Sequence, residues 1–255
     1  MAATDPPSSS PSLANAQPSP STSTSSPGAS PAERGHGLLP SDTIWNRWVN
    51  FYRMARGTMS ERGSEEYWKD ADQRYSKVDC ARCDTWRNEL FRTSPVITYL
   101  NDNIRKLGGD LGPENIRCRT CSEKMLAGFD HQYGIKICAN RMESKSMMED
   151  VLAHEMVHAY DHLRFKADQV GNLRHAACTE IRASNLSGEC RWANEFFGNK
   201  IMSFTNHQQD CVRRRAINSV KARPGCKDEA QAEKVVNEVW DSCFRDTRPF
   251  DEVYR

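Results

Sequence analysis

The chain has 255 residues, 38% of them hydrophobic, with 35 basic and 34 acidic side chains and a formal net charge of +1. That balance excludes a global electrostatic field for nucleic acid. No run of roughly 18 apolar residues is present to cross a bilayer as a helix, so the chain is expected to be soluble or peripheral. A mean hydropathy of −0.75 is polar for this length and points to an unfolded segment.

That segment is residues 1 to about 40, almost entirely Ser, Pro, Ala, Thr and Gly, with Asp5, Glu33 and Arg34 as its charges. It cannot bury enough surface to offset chain entropy and reads as a disordered, solvated tail, not a ligand for proline-binding modules. It lacks the arginine-rich amphipathic pattern of a transit peptide and the apolar core of a secretory signal. Residues 41–255 are expected to form a single domain. A first helix is predicted near Ser41–Arg56, and its Ile44, Trp45, Trp48, Val49 and Tyr52 stripe reads most simply as core. Short helices follow around Ser64–Tyr75 and Cys80–Phe91. Ser94-Pro95 starts another, with Val96, Ile97, Leu100, Ile104 and Leu107 on its apolar side and Gly108-Gly109 at its end. Residues 41–107 are therefore read as helical.

The pattern changes at Gly108. Residues 109–125 carry turn signals without a clear period. Ala127-Gly128-Phe129-Asp130 then leads through Tyr133-Gly134 into the alternating Ile135–Ala139, so 108–140 reads as a β hairpin. An exposed sheet edge here could take an extended peptide as an added strand and lay its scissile carbonyl over a metal. The plainer reading is a hairpin that covers the core.

Next comes M-M-E-D-V-L-A-H-E-M-V-H-A-Y-D-H, Met147–His162, with His154, Glu155 and His158 in the spacing H-E-x-x-H. Histidines four apart on a helix share a face, so both imidazoles can reach one Zn²⁺ while the intervening Glu holds its water. With 7 histidines in 255 residues, chance yields the motif in about 1% of such chains. The bland alternative is an amphipathic surface helix that happens to carry three histidines. Ser146 followed by Glu149 reads as a capping box that starts the helix.

Catalytic zinc needs a third protein ligand and an open fourth position. The candidates are Asp161, His162, His175 and Glu180. Asp161 lies seven residues after His154 on nearly the same face, which suits a partner that orients an imidazole. Glu180 falls in a second predicted helix, about Arg174–Leu186, and a Glu presented from a second helix resembles the gluzincin metalloproteases. Glu180 ranks first, with His175 and Asp161 behind it. In this scheme zinc polarises the scissile carbonyl and its water, and Glu155 moves the proton to the leaving amine. Tyr133 and His175 are the candidates for stabilising the oxyanion.

Ten cysteines, at positions 80, 83, 118, 121, 138, 178, 190, 211, 226 and 243, cover only the folded part. C-A-R-C at 80–83 and C-R-T-C at 118–121 have the spacing of a four-cysteine zinc site. The six isolated cysteines favour disulfides in an oxidising compartment, with a connectivity that sequence does not give. The basic run Arg213–Arg215 reads as a solvated helix face. A last helix, Glu229–Phe244, carries Ala232, Val235, Val236, Val239, Trp240 and Cys243 along one side and is assigned to the core. The elements predict a mainly helical α+β fold with a small β-sheet before the H-E-x-x-H helix, stabilised by disulfides. Metal-binding helices occupy 146–200 and a helical part 201–255.

Four segments together, H-E-M-V-H-A-Y-D-H (154–162), R-H-A-A-C-T-E-I-R-A-S-N-L-S-G-E-C (174–190), A-G-F-D (127–130) and V-x-x-V-W-D-S-C-F (236–244), closely resemble one family. It is the mitochondrial inner-membrane metalloprotease family that processes and assembles the membrane sector of ATP synthase, and the likeness, nearest its fungal branch, covers roughly residues 80–250. The resemblance implies a zincin-like zinc endopeptidase with His154 and His158 as ligands and Glu155 as catalytic residue. It further implies a peripheral protein on the intermembrane-space side of the inner membrane, imported through the disulfide relay without a cleaved presequence. Its partners would be the precursor of ATP synthase subunit a (subunit 6), whose N-terminal extension it removes, and c-ring assembly intermediates. Ala127 and Ser184 depart from the pattern, where Gly and Ala are expected. In gluzincins an Asp at the position of Ser184 often steadies a histidine, so that support is expected from Asp161 or Asn185. Two rival readings are a non-proteolytic assembly chaperone with a dispensable zinc, and a zinc-ribbon module in which Cys80, Cys83, Cys118 and Cys121 bind metal.

Overall fold

The computed structural model describes residues 38–165, 168, 171–191 and 207–251. Most of the Ser/Pro-rich tail, residues 192–206 of the expected helical region and the last four residues lie outside these. The chain divides into two units between Tyr67 and Trp68.

In the first unit, α1 spans Ile44–Ala55, with Thr43 accepting from the Asn46 N–H as N-cap. Its aromatic stripe is not core. Ile44, Trp45, Trp48 and Tyr52 are all exposed, whereas Asn50 is buried. The reason is that the polar side of the helix is satisfied by the chain preceding it. Asn50 exchanges two hydrogen bonds with the Leu39 backbone, and Asn46 donates to the Pro40 carbonyl.

Helix α2, Glu61–Thr93, runs unbroken where two short helices were expected. The stretch between Tyr75 and Cys80, Y-S-K-V-D-C, contains neither Gly nor Pro, so nothing interrupts it. Helix α3, Pro95–Lys106, is capped by Ser94 and places Ile97, Leu100 and Ile104 inside.

The sheet has three strands. β2 (Ala127–Asp130) and β3 (Gly134–Cys138) form the expected antiparallel hairpin, turning at Gly134, whose φ of +80° excludes a β-carbon in practice because Asn115 O would lie 2.3 Å from it. A further strand, β1 (Ile116–Arg119), lies parallel to β3, giving the order β1-β3-β2. Its four residues are too few to show a period. Helix α4, Lys145–Phe165, begins two residues earlier than the expected box: Ser144, not Ser146, accepts from the Met147 N–H. Glu149 instead accepts from the Ser94 hydroxyl.

Two cores result. One gathers α3, the sheet and α4 around Ile97, Leu100, Ile135, Ile137, Leu152 and Met156. The other joins α5 (Leu173–Leu186), α6 (His207–Lys221) and α7 (Glu229–Arg245) around Ile181, Val212, Val236 and Trp240. The C-terminal amphipathic helix is thus core, as its pattern indicates. Helix α5 serves both clusters: Ile181 enters the second, and Ala183 and Leu186 the first.

Four disulfides link Cys83–Cys118, Cys121–Cys138, Cys178–Cys243 and Cys190–Cys211. The two C-x-x-C pairs therefore do not form a four-cysteine zinc site. Cys83 ties α2 to β1, Cys121 joins the end of β3, and Cys80 remains a thiol. The fold is mainly helical α+β with a small sheet, held by disulfides.

Candidate metal centre

Helix periodicity places His154 and His158 one turn apart on α4, with their Nε2 atoms 3.1 Å from one another. Glu180 enters from α5, Oε2 lying 3.5 Å from His154 Nε2 and Oε1 3.6 Å from His158 Nε2. Ligand-capable atoms of these three side chains all fall within 4.8 Å of one another, the one such group among the described residues.

The other candidates for a third ligand stand elsewhere. Asp161 is wholly buried and faces Arg182 at 2.9 Å, so it orients no imidazole. His175 is exposed, and its Nδ1 accepts from the Asp168 backbone N–H. His162 lines the cleft but stacks on His131, ring centroids 5.3 Å apart.

Glu189 supplies the imidazole support expected from Asp161 or Asn185. Its Oε2 lies 3.1 Å from His154 Nδ1 and 2.6 Å from Arg215. Asn185 is occupied with the Phe244 carbonyl and Gln208, and the buried Ser184 hydroxyl has no hydrogen-bond partner among the described residues. Gly188, with φ of +98°, turns the chain after α5 so that Glu189 points back at α4. Residue 190 is then fixed by Cys211, one helical turn before Arg215 on α6. The basic run at 213–215 is therefore not a merely solvated face.

Further along the same side of α6 and just past its end, Ser219 hydrogen-bonds Glu180 and Arg223 lies 3.2 Å from Glu180 Oε1. Cys211, Arg215, Ser219 and Arg223 recur every four residues. That polar i, i+4 stripe was the available sequence signal, obscured by its lack of any known ligand type except cysteine.

Burial sets the electrostatics. It opposes a charge on His154, yet Glu189 and Glu180 outweigh it and hold that imidazole protonated well above the usual range. Burial pushes His158 down to about 4, leaving it neutral. Glu180 is kept ionised against burial by the two histidines, and Glu189 chiefly by His154. Burial raises Glu155 to about 7, although the Phe129 N–H of β2 bonds to its carboxylate. Two imidazole nitrogens and a carboxylate converge here, with His158 Nδ1 buried and without a hydrogen-bond partner among the described residues. This donor set fits zinc, a borderline ion that takes imidazole nitrogen and carboxylate oxygen as ligands.

The three side chains and Glu155 floor a cleft of about 530 Å³. Ala127–Asp130 of β2 run along it, and β2 is an edge strand of the sheet. Neither expected oxyanion residue lines this cleft: Tyr133 is exposed and borders a smaller neighbouring cavity. His131, His162, Ser219 and Arg223 line it instead.

A family model described as the Peptidase M76 family matches residues 81–251. The chain belongs to the M76 peptidase family. Among curated relatives, the mitochondrial inner membrane protease atp23 of Aspergillus niger is 58% identical over 228 residues, covering 89% of this chain and 96% of the relative. That of Neosartorya fischeri is 58% identical over 234 residues, covering 91% and 99%. The Coccidioides immitis protein of the same description is 56% identical over 222 residues, covering 87% and 94%. No solved structure matches this M76 chain.

Proposed function

We propose that this chain is a zinc-dependent endopeptidase of the zincin kind, acting at the mitochondrial inner membrane. The observation that carries the reading is the convergence of His154, His158 and Glu180 from two helices, with Glu155 beside them under an edge strand. His154, His158 and Glu180 would hold the ion. When bound, zinc supplies Lewis-acid polarisation of a carbonyl and makes a water more acidic.

The chain's own residues do the rest. Glu155, anchored by the Phe129 N–H, takes the proton of the attacking water on its carboxylate and delivers it to the leaving amine nitrogen. The outer edge of β2 accepts the substrate as an extended strand, which sets the scissile bond along the cleft. Glu189, itself paired with Arg215, would accept from His154 Nδ1–H when the ion is held, leaving Nε2 to the metal.

The relatives' description supports the inner membrane as the location, and four disulfides support the intermembrane-space side, where thiols can be oxidised. Peripheral attachment agrees with the lack, among the described residues, of a helix long and apolar enough to cross a membrane. The substrate we propose is the precursor of ATP synthase subunit a, trimmed at its N-terminus, with a second role in joining that subunit to the c-ring.

Zinc content of the purified oxidised chain tests the site. One zinc per chain, lost in His154→Ala and reduced in Glu180→Gln, is expected; unchanged zinc in Glu180→Gln would remove it as a ligand. Glu155→Gln should keep the zinc and lose cleavage by at least about a hundredfold. Loss of ATP synthase assembly in the same variant would sink the reading of a non-proteolytic chaperone, whereas assembly without cleavage would favour it.

A further inference from the structure

Relatives of this chain are named for a membrane, while none of its described helices can span one. Helix α1 has a surface that suits attachment. Ile44, Trp45, Trp48, Phe51 and Tyr52 are 72%, 76%, 64%, 48% and 54% exposed. At 3.6 residues per turn they occupy one broad side of the helix together with Ala55. An exposed stripe of this kind on a folded protein marks an interaction site.

Its orientation is built by hydrogen bonds. Asn50, 1% exposed, accepts from the Leu39 N–H at 2.9 Å and donates to the Leu39 carbonyl at 2.8 Å. Asn46 Nδ2 donates to the Pro40 carbonyl at 2.9 Å, and Arg47 Nε to that of Ser41 at 2.8 Å. The polar side is thereby engaged with the chain's own backbone, and the aromatic side is left facing outward.

The charges identify the partner. From Pro40 to Met59 three arginines, Arg47, Arg53 and Arg56, stand against one acid, Asp42. By helical position Arg47 borders one edge of the apolar side, and Arg53 and Arg56 the other. Arg56 also lies over the Tyr52 ring, 4.7 Å from its centroid. A peptide groove reads a narrow row of anchors at i, i+4 and i+7. A broad apolar side rich in Trp and Tyr, edged by arginine and without acids on the helix, matches the headgroup layer of an anionic bilayer. The helix lies before residues 81–251, the part matched by the family model.

We propose that α1 is the membrane-contact element of this protein, lying in the plane of an anionic lipid surface. Its Trp45, Trp48, Phe51 and Tyr52 sit at the acyl boundary, and Arg47, Arg53 and Arg56 sit among the headgroup phosphates. The proposal rests on the inner-membrane reading above and adds to it the segment that holds the enzyme there.

The full chain should co-sediment with vesicles of phosphatidylcholine mixed with phosphatidylglycerol, and much less with phosphatidylcholine alone. Trp45→Ser/Trp48→Ser/Tyr52→Ser should lower partitioning at least about tenfold. Each of Arg47→Gln, Arg53→Gln and Arg56→Gln should lower it about fivefold. Because the aromatic residues are exposed, the triple variant should keep its thermal transition and its zinc content. Wild-type binding that survives the triple substitution would overturn the assignment to α1 while leaving peripheral attachment standing. Absence of wild-type binding to either vesicle would overturn both. Equal binding to neutral vesicles would overturn the anionic partner. A lipid-free dimer abolished by the triple substitution would reassign the stripe to self-association.

Discussion

Glu189 meets His154 at 3.1 Å, Oε2 to Nδ1, and Arg215 holds the same oxygen at 2.6 Å. A carboxylate accepting from Nδ1–H fixes the proton there and frees Nε2 as a donor to metal. We expect Glu189→Ala to weaken zinc binding about 10–100-fold, and Glu189→Gln, which still accepts, by less. Competition with a chelator of known affinity measures it. Unchanged affinity in Glu189→Ala would reduce the contact to packing.

Arg182 is buried against Asp161, and it also bonds Asp246 and the carbonyls of Asp246 and Arg248. Burial raises the Asp161 carboxyl even though Arg182 pulls it down. Removing the guanidinium alone strands that carboxylate. Arg182→Met should cost about 3–5 kcal/mol in urea unfolding, and Asp161→Leu added to it should recover part of the loss. A double variant less stable than the single one would show that the pair is not the main term.

In metal-stripped protein, Glu155 has a folded pKa of about 7 against an ordinary 4.5. The folded state then binds this proton more tightly than the unfolded chain. Its contribution is complete below 4.5 and is lost as pH rises through about 7. The stability of metal-free wild type should therefore fall relative to Glu155→Gln over that interval, by roughly 1–3 kcal/mol. Parallel unfolding curves at several pH values decide it; a constant difference would mean that the carboxylate is solvated.

The disulfides close loops of different length, 21 residues for Cys190–Cys211 and 65 for Cys178–Cys243. Chain entropy assigns them about 3 and about 4 kcal/mol. Replacing both cysteines of each bridge by serine should lower the thermal transition in that order. The Cys190→Ser/Cys211→Ser variant should also bind zinc more weakly, because the bridge secures the residue next to Glu189. Zinc affinity untouched by that change would uncouple the bridge from the site.

The parts legible in the sequence are those encoded within one helix. His154, Glu155 and His158 needed only the 3.6-residue period to share a face, and the apolar row of α7 needed only the same period to be core. Periodicity marks the two sides of α1 equally well, but it does not say which one is covered. Side-chain hydrogen bonds from Asn46 and Asn50 to the preceding backbone decided that, against the hydrophobic pattern. The missing breaker between Tyr75 and Cys80 could have been read locally; the pairing of β1 with β3 could not, since it brings together strands well apart in the chain.

By itself the sequence determined that two imidazoles and a carboxylate sit on one turn of helix, because covalent spacing and helix geometry suffice for that. Bringing Glu180, already first of four candidates by sequence, onto the two imidazoles, recruiting Glu189 through Gly188 and turning Arg215 toward it took the tertiary structure. Those residues meet only because α5 packs between two cores and α6 is clamped beside it by Cys190–Cys211. Burial there makes each unpaired charge costly, and so fixes which partners converge.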